Sequence, residues 1–149
     1  MRDRAKLPLM VRLASVQRIK TVAAEAALMA ARAAEAAARS AEEEAAARTE
    51  AARNDWDEHL SADSFSPEFS RALAARLIER ETVASDASLR RERSAEIAGR
   101  RQEEWQLSEA RARSGDSSLH RLRRRLARRA EEDRLAEIAD RITFDWSRR

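Results

Sequence analysis

Cysteine and tyrosine are absent from this 149-residue chain, glycine and proline occur twice each, and aromatic residues make up only 4%. Each scarcity excludes something. Without cysteine there is no disulfide framework and no thiolate metal site. A sheet protein of this length needs many turns, and it needs β-branched and aromatic side chains to fill its pleats; neither supply exists. Leu, Ile, Val and Phe are too few to bury a thick core, which favours an extended architecture over a compact one. The apolar stretch from Leu7 to Val11 is too short for a signal-peptide core or a membrane span. The expectation is a soluble, cytoplasmic protein without membrane insertion.

What is abundant is Ala, Arg and Glu, all strong helix formers. Charged residues reach 38%, and the net charge is +3. Residues 1–75 carry 11 basic and 12 acidic groups, residues 76–149 carry 19 and 15, so the positive excess lies in the second half.

Nothing from about Leu9 to Leu60 breaks a helix, and an apolar spacing of threes and fours runs through Leu9, Leu13, Val16, Ala23, Ala27 and Ala30. Glu35/Arg39 and Glu44/Arg48 are spaced for helical ion pairs. The break comes at 61–66. Ser66 suits an N-cap, Pro67 the first helical position and Glu68 the positive end of a helix dipole, so a second helix begins near Pro67. It reads on through Leu73, Leu77, Ala84, Ala98, Trp105 and Ala112, with Arg80, Arg91 and Arg101 interrupting its seam. At 114–118 either the helix continues past a weak spot or a third helix starts near Ser118. Continuity is preferred, because a helical Gly costs only about 1 kcal/mol relative to Ala.

The expected fold is therefore all-α: a long antiparallel two-helix coiled-coil hairpin forming one domain over 1–149. Helix one covers about 9–60, the loop 61–66 and helix two about 67–145. Folding at the loop sets helix one beside about 67–119, so that roughly the last 30 residues project beyond it, on helix lengths of about 1.5 Å per residue. The same pairing sets Trp105 against the alanines near Ala24 and Ala27. Whether the helices pair within one chain or between two stays open.

The inventory does not build an enzyme. His59 and His120 are far apart in the hairpin, no Gly-rich phosphate loop exists, and the carboxylates line solvated helix faces rather than a walled pocket. No catalytic residue, metal site or cofactor is expected. Two features point to binding instead. One is the basic run from Leu119 to Ala130, with six arginines. It invites nucleic acid or an acidic protein partner, although the acids that follow at Glu131 and the lack of stacking aromatics weigh against nucleic acid. The other is the apolar cluster of Trp56, Leu60, Phe65, Phe69, Leu73 and Leu77 around the loop. It can close the hairpin and also leave part of itself exposed as a binding patch.

The Leu/Val-rich start at Leu7–Leu13, the unbroken first helix, the segment Asp55-Trp56-Asp57-Glu58-His59-Leu60 before the loop, and the charged tail from Glu131 to Asp140 resemble the flagellar FliJ proteins and their injectisome counterparts, the stalk proteins of type III secretion. The resemblance implies an antiparallel coiled coil seated in the central hole of a hexameric export ATPase and touching the cytoplasmic domain of the export-gate membrane protein. It makes the protein peripheral at the inner membrane through that apparatus, with export chaperones as further partners. It implies gate binding through Trp56, Leu60, Leu73 and Leu77, and docking in the ATPase ring through Arg121, Arg124, Arg125 and Arg128. Flagellar and injectisome systems are not distinguished. A basic helical nucleic-acid-binding protein and a generic coiled-coil scaffold are the alternatives.

Overall fold

The computed structural model describes residues 2–62 and 65–147, and among these it contains two helices and no strand. Helix α1 is Arg2–Ser61 and α2 is Pro67–Ser147. Asp63 and Ser64, inside the expected loop, lie outside the described residues. Helix α1 starts earlier than the sequence suggests, and Pro8 sits inside it. The proline's fixed φ is helical, but in the second turn it removes the hydrogen bond to the Arg4 carbonyl and its ring crowds that carbonyl, which weakens this end of α1 without ending it.

The turn into α2 is built as its residues dictate. The Phe69 N–H donates to Ser66 Oγ at 3.4 Å and the Ser70 N–H to the Ser66 carbonyl at 2.9 Å. Ser66 is therefore the N-cap, with Pro67 at the first helical position, where its missing N–H costs nothing. Helix α2 then runs through 114–118 without interruption, and neither Gly99 nor Gly115 leaves helical backbone.

The helices pack antiparallel on each other, and their contacts fall into two compact units. The loop unit runs from Glu25 to Glu104. Its α1 stripe is Leu28, Ala31, Glu35, Ala38, Glu42, Ala45, Thr49, Ala52, Trp56 and His59, and it meets Ser70, Leu73, Leu77, Arg80, Ala84, Ala87, Ser94 and Ala98 of α2. Apart from the step of seven across exposed Arg91, the steps alternate three and four, a seven-residue repeat that keeps one stripe against the partner helix. Thr49 fixes the register: its hydroxyl donates within α1 to the Ala45 carbonyl at 2.9 Å and reaches the Arg80 carbonyl of α2 at 3.1 Å.

The arginines that interrupt the α2 pattern are accommodated by small neighbours. Arg91 extends from the seam to Glu42 of α1 at 3.5 Å, and Arg101 turns outward to Glu104. Both side chains are about half exposed. Of the two spaced pairs, Arg48 meets Glu44 at 3.1 Å, whereas Arg39 takes Glu43 rather than Glu35, which faces the seam.

The terminal unit joins α1 up to Ala24 with α2 from Trp105 onward. Leu7, Met10, Ala14, Gln17, Thr21 and Ala24 face Trp105, Ser108, Ala112, Gly115, Leu119, Leu122 and Leu126. The Thr21 hydroxyl lies 3.3 Å from the Ser108 carbonyl and 3.2 Å from its Oγ. This register sets Ala24 level with the half-buried Trp105. It also sets Leu7 level with Leu122, so α2 from Arg128 to Ser147 has no α1 opposite it. The unpaired segment is shorter than expected because α1 reaches back to Arg2.

One reading of the seam is corrected. Leu9, Leu13, Val16, Ala23 and Ala30 are exposed, Leu9 at 67%, and the buried face is the neighbouring one, with Leu28 at 3%. The first turns of α1 are apolar on several sides, so local spacing does not choose between them. The seam is the stripe that repeats every seven residues along the whole helix.

Candidate interaction surfaces

At the tip of the loop unit, the His59 ring stacks on Phe65 with centroids 5.7 Å apart and meets Phe69 edge-on at 4.8 Å. Its Nε2 lies 3.1 Å from the Ser66 carbonyl. His59 thus ties the end of α1 to the α2 cap by one polar and two aromatic contacts. This role was not read from the sequence, and the signal for it is the pair of phenylalanines flanking the Ser66-Pro67 cap.

Beside this cluster lies an open concavity of about 340 Å³ lined by Asp55, Glu58, His59, Ala62, Phe69, Leu73 and Arg76. Arg76 is 3.7 Å from Asp55, an exposed pair of little energetic weight. Leu60, Phe65 and Phe69 are about half exposed, while Leu73 and Leu77 are each 8% exposed and enclosed in the seam. Trp56 is half-buried, and its Nε1 is enclosed without a hydrogen-bond partner among the described residues. Of the four positions expected to bind an export gate, Leu60 is thus open to a partner. Leu73 and Leu77 are enclosed in the seam, and Trp56 is half-buried beside them.

In the terminal unit, Arg121, Arg124, Arg125 and Arg128 line a second concavity, of about 290 Å³. Their spacing of three, one and three places them on one side of α2, while Leu122 and Leu126 turn to the seam. Arg121 reaches Ser118 Oγ at 3.3 Å, and no ion pair among the described residues engages these four guanidiniums. Beyond them, Leu135, Ile138, Ile142 and Trp146 follow at helical spacing, all exposed, Trp146 at 80%. Continued from Leu126, the seam positions carry Arg129, Asp133, Ala136, Asp140 and Thr143, so the apolar stripe of this segment has left the α1-facing side.

No helix is long and apolar enough to cross a membrane, and no group of three or more potential metal-ligating side chains occurs among the described residues. Compared with known proteins, the chain matches no protein-family model, no curated protein and no solved structure.

Proposed function

We propose that the protein is a non-enzymatic coiled-coil stalk of a bacterial flagellar or type III export apparatus, coupling a hexameric export ATPase to the export gate. The observation that supports this best is the cluster of Arg121, Arg124, Arg125 and Arg128 on one side of α2, engaged by no ion pair among the described residues and leading into the segment from Arg128 on that has no described α1 residue opposite it. A helix without an intramolecular partner can enter a ring without first breaking a folded contact, and four clustered guanidiniums suit a carboxylate-lined opening. The exposed tip residues Leu60, Phe65 and Phe69 form the gate-binding patch, with Trp56, Leu73 and Leu77 holding its shape. A stalk of this kind changes ATP hydrolysis by binding the closed ring better than its open or dissociated forms.

The test is ATP hydrolysis by the export ATPase of the same genome at low enzyme concentration, where ring assembly limits the rate. The protein stimulates hydrolysis, and replacing the four arginines with alanine removes the stimulation while helicity is kept. Leu60→Ser with Phe69→Ser weakens binding to the gate domain and leaves the ATPase effect intact. Absence of stimulation and of co-elution with either partner overturns the proposal, and tight salt-dependent DNA binding in its place supports the nucleic-acid alternative.

A further inference from the structure

The two edges of the terminal unit's seam differ in character. Let a and d denote the seam positions, a being Leu7, Ala14 and Thr21 on α1 and Ala112, Leu119 and Leu126 on α2. In an antiparallel pair the e positions then face each other along one edge and the g positions along the other. On the e edge one pair of opposite charge meets, Arg18 and Asp116 at 2.8 Å, and Val11 is level with Arg123. On the g edge the register set by Thr21 and Ser108 puts Lys6 level with Arg125, Leu13 with Ser118 and Lys20 with Arg111. Two of these three pairs are cation against cation, and no ion pair among the described residues relieves them.

The next positions outward sharpen the contrast. On α1 they are Leu9, Val16 and Ala23, all exposed, and on α2 they are the exposed Leu107 and Ser114 together with Arg121 and Arg128, which line the arginine concavity. The α1 wall of the edge is therefore apolar at Leu9, Leu13 and Val16, while the α2 wall is basic at Arg111, Arg121, Arg125 and Arg128, with Leu107, Ser114 and Ser118 among them. Like charges facing each other across a helix pair are unfavourable, and large apolar side chains left in water gain nothing. Both penalties disappear when a third helix lies along this edge with apolar side chains over the α1 wall and carboxylates toward the cations.

We infer that the g edge of the terminal unit is a docking groove for an acidic amphipathic helix of a protein partner. The groove shares Arg121, Arg125 and Arg128 with the ring-docking surface proposed above, but its α1 wall of Leu9, Leu13 and Val16 with Lys6 and Lys20 is its own, so variants on α1 test it separately. A nucleic acid or an anionic membrane satisfies the cations, but the phosphate backbone leaves the wall of Leu9, Leu13 and Val16 without an apolar partner, which disfavours nucleic acid.

The experiment uses the full-length protein and a fluorescent designed peptide of about four heptads, with Leu at a and d and Glu at e and g, whose own charge repulsion opposes self-pairing. A sibling peptide carries Lys in place of Glu. The acidic peptide binds, and the basic one binds at least about tenfold more weakly. Leu9→Ser with Leu13→Ser, and separately Lys6→Glu with Lys20→Glu, each weaken binding by about tenfold or more while circular dichroism shows unchanged helicity. Arg39→Gln with Arg48→Gln, in the loop unit, leaves binding within about twofold. Equal binding of both peptides, or equal loss in the Arg39/Arg48 variant, overturns the groove in favour of diffuse charge attraction. Dimerisation in sedimentation that the Leu9/Leu13 variant abolishes also overturns it, because the occupant is then a second copy. A DNA duplex or anionic vesicles that displace the peptide and are insensitive to Leu9→Ser with Leu13→Ser overturn it as well.

Discussion

Individual residues matter here according to which side of a helix they occupy, not according to how apolar they are. Leu28 and Leu9 are the same side chain on the same helix, one 3% exposed and the other 67%. Leu28→Ala should destabilise by about 2 to 3 kcal/mol, and Leu9→Ala by less than about 0.5 kcal/mol, since only the first leaves a cavity. Chemical denaturation of the two variants checks this, and equal effects would mean that the seam lies on the other face. Trp56 offers a second comparison. Its enclosed Nε1 has no partner among the described residues, and an unmet buried donor costs about 1 to 3 kcal/mol. Trp56→Phe keeps most of the ring packing and removes that donor, so it should melt at or above the parent temperature, whereas Trp56→Ala should fall well below it. A large loss in Trp56→Phe would show that the indole N–H is satisfied after all.

At the scale of the elements, much was legible in the sequence and the misreadings have a common cause. The α2 start was readable because Ser66, Pro67 and Glu68 each do one local job. The α2 seam was readable because Leu73, Leu77, Trp105 and Ala112 are bulky or small against a charged background. On α1 the seam was not readable, because alanine is apolar enough to fit any face and Leu9, Leu13 and Val16 make a convincing but wrong stripe. The tip was legible as a cluster, but not which members stay open, since that depends on how His59, Phe65 and Phe69 stack. The glycines belong to this scale as well. A Cβ added at Gly115 meets nothing within 4 Å, and the backbone there is already helical. Gly115→Ala should therefore stabilise by about 0.5 to 1 kcal/mol by reducing unfolded-state freedom, read as a higher melting temperature. A lower one would reveal that the site depends on bending.

For the molecule as a whole, stability must come from many weak seam contacts, because no described large side chain is less than 2% exposed and the deepest positions are mostly alanine and leucine. Burial of that kind is distributed, so a segment outside the seam contributes little to it. Every described side chain from Ala127 onward is exposed, including the apolar stripe from Leu135 to Trp146. A chain ending at Ala127 should thus melt within a few degrees of the parent, roughly the shift that a change below about 1 kcal/mol produces. Its helical signal should fall because the lost residues are helical, while its unfolding stays cooperative. If the stalk proposal holds, the same truncation abolishes stimulation of the export ATPase, which separates the segment's role in binding from any role in folding. If the truncated chain instead melts far lower, the segment is packed in solution. Concentration dependence of the parent's melting temperature then distinguishes packing against a second copy from packing within the chain, because only an assembly gains stability by mass action.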